Sequence, residues 1–330
     1  MAGSRRSRKA RQQDDIRIKA AGLTGLLIIL AVAFFFFLND NFLQISGIPT
    51  TTEILQTLGI IETPVTAADG EAAVHFIDVG QGDCELITVG NSTVLIDCGE
   101  QEYYENVRVY LDNLGIKKLD YVIATHPHSD HMGGMADILT NYTIGHFLMP
   151  RTSDDMIPST RAYESMLDAI ETYGISASYA EVGDIIKLDN GGRIEILAPL
   201  HDDYDDLNNY SVTMRFSFGA TRFLFTGDIE RAAENDILNS GADISCNVIK
   251  IAHHGSTSSS TMAFLREASP QYAVINVGKD NSYGHPKQAV LDRLKEIGCK
   301  YYTTMQYGNI VFVSDGQTLT LHSSKGDIAA

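Results

Sequence analysis

Beyond residue 70 the chain alternates between short apolar runs rich in β-branched residues and longer runs whose apolar positions recur every third or fourth residue. The first kind marks a strand and the second an amphipathic helix. AAVHFIDV (72–79), CELITV (84–89) and STVLIDC (92–98) read as successive strands, separated by the glycine turns Gly80-Gln81-Gly82-Asp83 and Gly90-Asn91. YENVRVYLDNLGI (104–116) reads as a helix ending near a glycine, and DYVIATH (120–126) as a strand. Helical spacing returns in MADILTNY (135–142) and STRAYESMLDAIETYG (159–174). Three strands follow, RIEILAPL (193–200), SVTMRFSFG (211–219) and TRFLFTGD (221–228), then a helix at IERAAENDILNSG (229–241). NVIKIAHH (247–254) and QYAVINVG (271–278) are strands, each followed by a helix, SSTMAFLREAS (259–269) and KQAVLDRLKEIG (287–298). YYTTM, NIVFVS and LTLHS close the chain as strands. Strands arrive in groups rather than in strict alternation with helices, which predicts mixed sheets covered by helices. No internal repeat interrupts 71–330, which reads as one domain.

One run breaks both patterns. Ala20 to Leu38 (AAGLTGLLIILAVAFFFFL) is 19 residues without a charge, about the ~20 needed to cross a bilayer as a helix. It exceeds the core of a secretory signal, and no small-x-small cleavage site follows closely. Residues 1–19 hold seven basic side chains against Asp14 and Asp15. That excess predicts a cytoplasmic N-terminus, a single membrane anchor over 20–38 and a body outside the membrane. Residues 39–70, with Pro49, Pro64 and a run of threonines, read as a stalk with one short helix around Glu53 to Leu58.

Charge is distributed unevenly. The whole chain has 25 basic and 42 acidic side chains; removing the seven and two of the tail leaves 18 against 40, a net of −22 for residues 20–330. An acidic body is a poor electrostatic partner for a polyanion, which weakens the case for a nucleic-acid substrate. The four cysteines, Cys84, Cys98, Cys246 and Cys299, show no C-x-x-C spacing. An exported body permits disulfides, yet Cys84, Cys98 and Cys246 lie in or beside strand-like runs, so both disulfides and buried thiols stay open.

The chemistry concentrates in THPHSDHMGG (125–134), where His126, His128, Asp130 and His131 form H-x-H-x-D-H directly after a strand. Residues two apart on an extended segment point the same way, so His126 and His128 can grip one ion together. Gly133 and Gly134 force a turn, placing Asp130 and His131 where a second ion can sit. Imidazole plus carboxylate without cysteine suits a reactive zinc, manganese or iron site rather than a closed structural zinc. Asp228, after the strand FLFTG, is positioned either to bridge two ions or to cap the next helix. In IKIAHHGS, alternation puts Lys250, Ala252 and His254 on one face and Ile249, Ile251 and His253 on the other. The second face looks like core, which makes His254 the expected ligand and His253 its neighbour. NSYGHP (281–286) adds Tyr283 and His285 after another strand.

These motifs together resemble the metallo-β-lactamase superfamily. HFIDVGQGD (75–83), NNYSVTMRF (208–216), FLFTGD (223–228), IKIAHHGSTSS (249–259) and NSYGHP resemble in particular the hydrolase domain of ComEC competence proteins, over about residues 72–323. The resemblance implies an α/β fold, an αββα sandwich of two mixed sheets, with one or two divalent ions, zinc or manganese, at its edge. His126 and His128 would bind one ion, Asp130, His131 and His254 the other, and Asp228 would bridge them. Asp130, His253 and His285 are the catalytic candidates, and Ser256, Asn209 and Tyr283 the substrate-binding ones. Asp78, Asp83 and Asp97 would brace the loops beneath. A water acidified by the ions would attack a phosphodiester, in DNA or in a cell-envelope polymer of the phosphorylcholine-esterase kind. A non-catalytic tethered binding protein on the same scaffold is the reading from a different class. One departure matters: the superfamily often supplies a further histidine before the bridging aspartate, but here LHDDYDDLNNYSV (200–212) offers Asn208 and Asn209, while His201 reads as a solvated loop residue. The expected site is complete on the Asp130 side and short of a ligand on the His126 side.

Overall fold

The computed structural model describes residues 64–325 without interruption and, before them, residues 25–26, 29–43, 45, 47–51 and 54. The chain divides into two units, Met1–Thr63 and Pro64–Ala330. In the first, a helix over 29–38 passes into a π-helix at Asn39–Leu43. The Asn39 side chain accepts from Ile45 N at 2.9 Å, and Asp40 accepts from Thr51 N at 3.1 Å. Most of the described apolar side chains of this helix are exposed, Ile29 to 66%. The expected span, Ala20 to Leu38, lies partly outside the described residues, and among those described no helix is long and apolar enough to cross a membrane. The short helix expected around Glu53 also falls outside them, apart from Ile54.

In the second unit the described strands form two sheets. β1 (Ala72–Phe76), β2 (Glu85–Val89), β3 (Ser92–Ile96), β4 (Lys118–Ile123), β5 (Thr143–Met149) and β6 (Ala177–Tyr179) join β14 (Ile310–Ser314) and β15 (Leu319–Ser323). Their order is β15-β14-β1-β2-β3-β4-β5-β6. β7 (Ile185–Lys187), β8 (Arg193–Ala198), β9 (Thr213–Phe218), β10 (Thr221–Phe225), β11 (Val248–Lys250), β12 (Tyr272–Ile275) and β13 (Lys300–Thr303) form the other, ordered β13-β12-β11-β10-β9-β8-β7. Both sheets are mixed: β3 to β6 run parallel in one and β10 to β13 in the other, while the remaining neighbours are antiparallel.

Alternation along each strand explains the layers. Val74, Phe76, Ile87, Val94 and Phe312 from the first sheet pack against Phe216, Phe223, Phe225, Val248 and Val274 from the second. The intervening residues Leu86, Leu95 and Val122 face outward to helices α1 (Tyr104–Asn113), α2 (Ser129–Met132), α3 (Met135–Asn141) and α4 (Arg161–Tyr173). Leu224, Ile249 and Ala273 likewise meet α5 (Arg231–Ser240), α6 (Met262–Ala268) and α7 (Gln288–Glu296). The result is the expected layered α/β arrangement. All four cysteines are buried free thiols.

At one end the inward-facing positions turn polar. Glu85 continues the face of Ile87 and Val89, Lys250 that of Val248, and Asn276 that of Val274; all three are buried. The strand expected over 247–254 stops at Lys250, and Ala252–Gly255 coil into a 3₁₀ turn with His253 and His254 at φ 52° and 51°. Strand alternation therefore does not extend to the two histidines.

Phe312 is fully buried, with its ring centroid 6.2 Å from that of Phe76 and 6.1 Å from that of Phe223. Phe312→Ala is expected to lower unfolding stability by about 3–5 kcal/mol. Urea unfolding followed by circular dichroism, the chain having no tryptophan, measures this; an unchanged midpoint would contradict the packing described.

Candidate metal centre

The turn after β3 sets the first half of the site. Asp97 adopts φ 54°, a conformation that aspartate tolerates better than most residues. Its carboxylate accepts from Thr125 N at 2.8 Å and Thr125 Oγ1 at 2.6 Å, and lies 2.7 Å from His131 Nδ1. A donor at Nδ1 leaves Nε2 of His131 as the free lone pair. That atom is buried, makes no hydrogen bond, and lies 3.3 Å from Asp228 Oδ2. Close backbone approach helps to hold this half together. Asp83 N donates to Asp130 O at 3.1 Å, and a Cβ on Gly82 would fall 2.2 Å from that oxygen.

The second half comes from the other sheet. Asp228 follows β10, with its N–H bonded to Ser211 Oγ at 3.0 Å and its Oδ1 accepting from His253 N at 3.1 Å. His254 Nδ1 donates to the backbone carbonyl of Asn276 at 2.8 Å. Its Nε2 is thereby turned toward Asp130 Oδ2 at 3.2 Å and Asp228 Oδ2 at 3.4 Å. The two sheets are tied directly beneath by Asn276 Nδ2, which donates to Glu85 Oε1 at 2.6 Å. Burial, then the nearby Asp83, pushes the Glu85 carboxyl well above its ordinary range, against the opposing pull of Lys250.

A chain of contacts, His131 Nε2 to Asp228 Oδ2 at 3.3 Å, Asp228 Oδ2 to His254 Nε2 at 3.4 Å and His254 Nε2 to Asp130 Oδ2 at 3.2 Å, brings these ligand atoms as close as donors that share one ion. The electrostatics show a pocket that demands positive charge, supplied by protons on the rings where no metal displaces them. Burial disfavours a charged His131, yet Asp228, Asp83, Asp97 and Asp130 together raise its pKa well above the ordinary value. Burial likewise opposes ionisation of Asp130, but His131 and His254 hold its carboxyl well below the usual range. A cluster this rich in carboxylate attracts cations, and a divalent ion fits it.

Asp83, His131, Asp228 and His254 form a buried group whose ligand atoms all lie within 4.8 Å of one another, and the more exposed Asp130 joins it through His254. Asp83 faces the Nδ1 edges of His131 (3.6 Å) and His254 (3.4 Å) and is neutralised by contact with Lys250 Nζ. It orients the rings from behind. Lys250 also reaches Gly227 O at 2.8 Å and Asp228 Oδ1 at 3.3 Å. Spacing arguments assigned Lys250 no role, and its signal was a lysine inside an otherwise apolar strand.

His126 and His128 meet as expected from alternation, Nε2 to Nδ1 at 3.0 Å, and burial pushes the His126 pKa well below its ordinary value, favouring the neutral, metal-binding form. His128, Asp130, Asp228, His253, His254, Tyr283 and His285 line one cleft of about 340 Å³. Tyr283 stacks on His285 with ring centroids 5.6 Å apart, and the His285 pKa is lowered to about 4 by burial and the neighbouring His253 and His254. Two expected substrate contacts lie elsewhere. Asn209 Oδ1 accepts from Glu230 N and Ala233 N, fixing the start of α5. Ser256 Oγ turns to Ser258 Oγ at 2.9 Å. His201 is exposed beside Asp236, away from the cleft. Asp78, expected as a brace, pairs with Lys325 at 2.9 Å on the wall of a neighbouring groove.

The profile of the Metallo-beta-lactamase superfamily matches residues 77–279, well over half of the chain. The chain belongs to the metallo-β-lactamase superfamily. It is similar to ComE operon protein 3 of Bacillus subtilis, 29% identical over 267 residues that cover 76% of this chain and 34% of that protein. Similarity to Competence protein ComA of Neisseria gonorrhoeae is also 29%, over 251 residues, covering 76% of this chain and 33% of the relative. The chain thus spans about a third of the length of these curated relatives. A mutant of the CmlA beta-hydroxylase shares the fold, with TM-score 0.50 and 12% identity over 81% of this chain and 60% of that one. The metallo-β-lactamase fold accounts for where the cluster lies, at one end of the sandwich where both sheets contribute loops.

Lys250→Met removes an ammonium buried between Asp83 and Asp228. The metal-free variant is expected to lose about 3–5 kcal/mol of stability, as when one partner of a buried ion pair is deleted. Added divalent ion should recover more of the melting temperature than it adds to the unaltered chain. Equal melting curves with and without the substitution would contradict this account.

Proposed function

We propose that the chain is a metal-dependent phosphodiesterase. The observation that carries this reading is the run of 3.2–3.4 Å contacts that joins Asp130, His131, Asp228 and His254, with the His126–His128 pair nearby and His128, Asp130, Asp228 and His254 lining one cleft. Zinc or manganese held there would act as a Lewis acid toward phosphoryl oxygens and make water acidic enough to attack near neutral pH. Asp130 is the carboxylate of the cluster that reaches solvent, its side chain 27% exposed against 3% or less for Asp83, Asp97 and Asp228. It would orient the attacking water by accepting a hydrogen bond from it. His285, neutral at physiological pH, and His253, beside Glu230 at 3.4 Å, contact the phosphoryl group and the leaving oxygen. Tyr283 stacks against the adjoining part of the substrate.

One relative is named Competence protein ComA, and together with the motif resemblance this supports a nuclease of the ComEC type as one substrate reading. A second reading, an envelope-polymer phosphodiesterase, is supported by a groove of about 990 Å³ that shares Asp130 and Tyr283 with the cleft. Its walls carry Asp78, Glu100, Glu102 and Asp280 against Lys279 and Lys325, a poor track for a polyanion. The uncharged run at 20–38 and the basic tail before it support anchorage in the cell membrane, with the N-terminus in the cytoplasm and the hydrolase unit outside.

The purified chain, reloaded with manganese or zinc, is expected to cleave a chromogenic phosphodiester and to lose that activity on chelation. Asp130→Ala should lower kcat by roughly 10³-fold with the domain still folded by circular dichroism. Undiminished turnover after chelation or in the variant overturns the proposal, and a chain that takes up no metal favours the tethered binding protein. Comparing single-stranded DNA with a choline-bearing diester decides between the two substrate readings.

A further inference from the structure

We propose that the amide oxygen of Asn208 is the third protein ligand at the His126–His128 position, making it a site of two imidazoles and one carbonyl oxygen. This rests on the metal-dependent reading above and assigns a residue that the histidine–aspartate motifs do not include. Two imidazole nitrogens 3.0 Å apart face each other there, and the one histidine of the 200–212 stretch, His201, is exposed beside Asp236 at 3.7 Å. Asn208 is 6% exposed, its Oδ1 is buried without a hydrogen-bond donor, and it lines the same cleft as His128, Asp228 and His254. Buried carbonyl oxygens are nearly always satisfied, so an orphan one needs a partner. A cation held by His126 and His128 would supply it.

The backbone places Asn208 there firmly. Residues Leu207–Tyr210 form a 3₁₀ turn begun by Asp206, whose Oδ1 accepts from Asn208 N at 2.9 Å. Asn208 O accepts from Ser211 N at 3.0 Å, and Val212 N donates to Thr125 O at 2.8 Å, tying the turn to the residue before His126. Asn209 faces the other way, onto α5. A carbonyl oxygen is a harder ligand than imidazole, so this position should favour zinc over manganese less than a three-histidine site would.

Metal-stripped full-length chain is titrated separately with zinc and manganese by calorimetry, and bound metal is counted by elemental analysis. The unaltered chain is expected to bind two equivalents of unequal affinity. Asn208→Leu should weaken the second equivalent at least roughly tenfold, a typical loss when support for a metal is removed, and leave the first unchanged. Asn208→His should tighten zinc at the second equivalent by roughly tenfold or more, with a smaller gain for manganese. Both equivalents at unaltered affinity in Asn208→Leu overturn the assignment, as does a single equivalent in every form. Melting of the metal-free variants checks folding, and should Asn208→Leu fail to fold, Asn208→His decides alone: unchanged zinc affinity overturns the proposal. Binding is read without turnover, so a chain that binds two ions and cleaves no diester overturns the hydrolase reading and leaves this one standing.

Discussion

A buried ammonium lets two carboxylates share the end of an otherwise apolar sandwich. Lys250 leaves β11 on the inward face and places Nζ against Asp83 from the first sheet and Asp228 from the second. Burial opposes its charge, but Asp83, Asp228 and Glu85 more than compensate and raise its pKa above the ordinary lysine value. Without that charge, Asp83 and Asp228 would repel each other in a low-dielectric space and one would have to take up a proton. With it, Asp228 stays ionised and Asp83 is occupied. The Nε2 edges of His131 and His254, together with Asp130, are then left to face the cleft. The lysine acts as a resident cation that fixes which carboxylates remain available to a second, exchangeable one.

Backbone geometry completes that selection. Asp97, His253 and His254 all adopt positive φ, uncommon for residues with a Cβ. Each is held by bonds that a more relaxed chain would forfeit: Asp97 by three contacts to Thr125 and His131, and His253 by its N–H to Asp228. Such conformations persist only where the surroundings determine them several times over. Here they aim two imidazoles at one point from opposite sheets.

The strand and helix pattern was legible because most elements bury one face, and burial writes a period into the sequence. β1 shows it plainly, with Val74 and Phe76 in the inter-sheet core and His75 between them bonded to Tyr110 on α1. The motif histidines and aspartates were legible for another reason: they are local, so spacing alone brings His126 to His128. What spacing could not carry was contact across the sandwich. Glu85 reads as one residue of the strand CELITV, and its partner Asn276 lies 191 positions away. Alternation grouped Lys250 with His254, and both do reach Asp83 and Asp228, but it is the left-handed turn and not a shared strand face that brings His254 there. Asn208 and Asn209 are indistinguishable by pattern, and only the turn at Leu207–Tyr210 sends one to the cleft and the other to the start of a helix.

The division of labour between the sheets bears on how such a site can bind metal at all. Asp83, Asp97 and the run His126 to His131 come from the first half of the chain, and Asn208, Asp228, Lys250 and His254 from the second. The Asp130 side draws Asp130 and His131 from one half and Asp228 and His254 from the other, so its full donor set exists only when the sheets are docked. Docking depends in turn on the apolar core between them and on the Glu85–Asn276 bond at its polar end. Metal binding and docking are therefore thermodynamically linked: an ion that prefers the assembled donors must stabilise the assembled sandwich by its differential affinity. The linkage also explains why the polar positions sit at the end of the core rather than in its middle. There each charged group has an opposite partner within reach, and the cleft still admits solvent and substrate to one side.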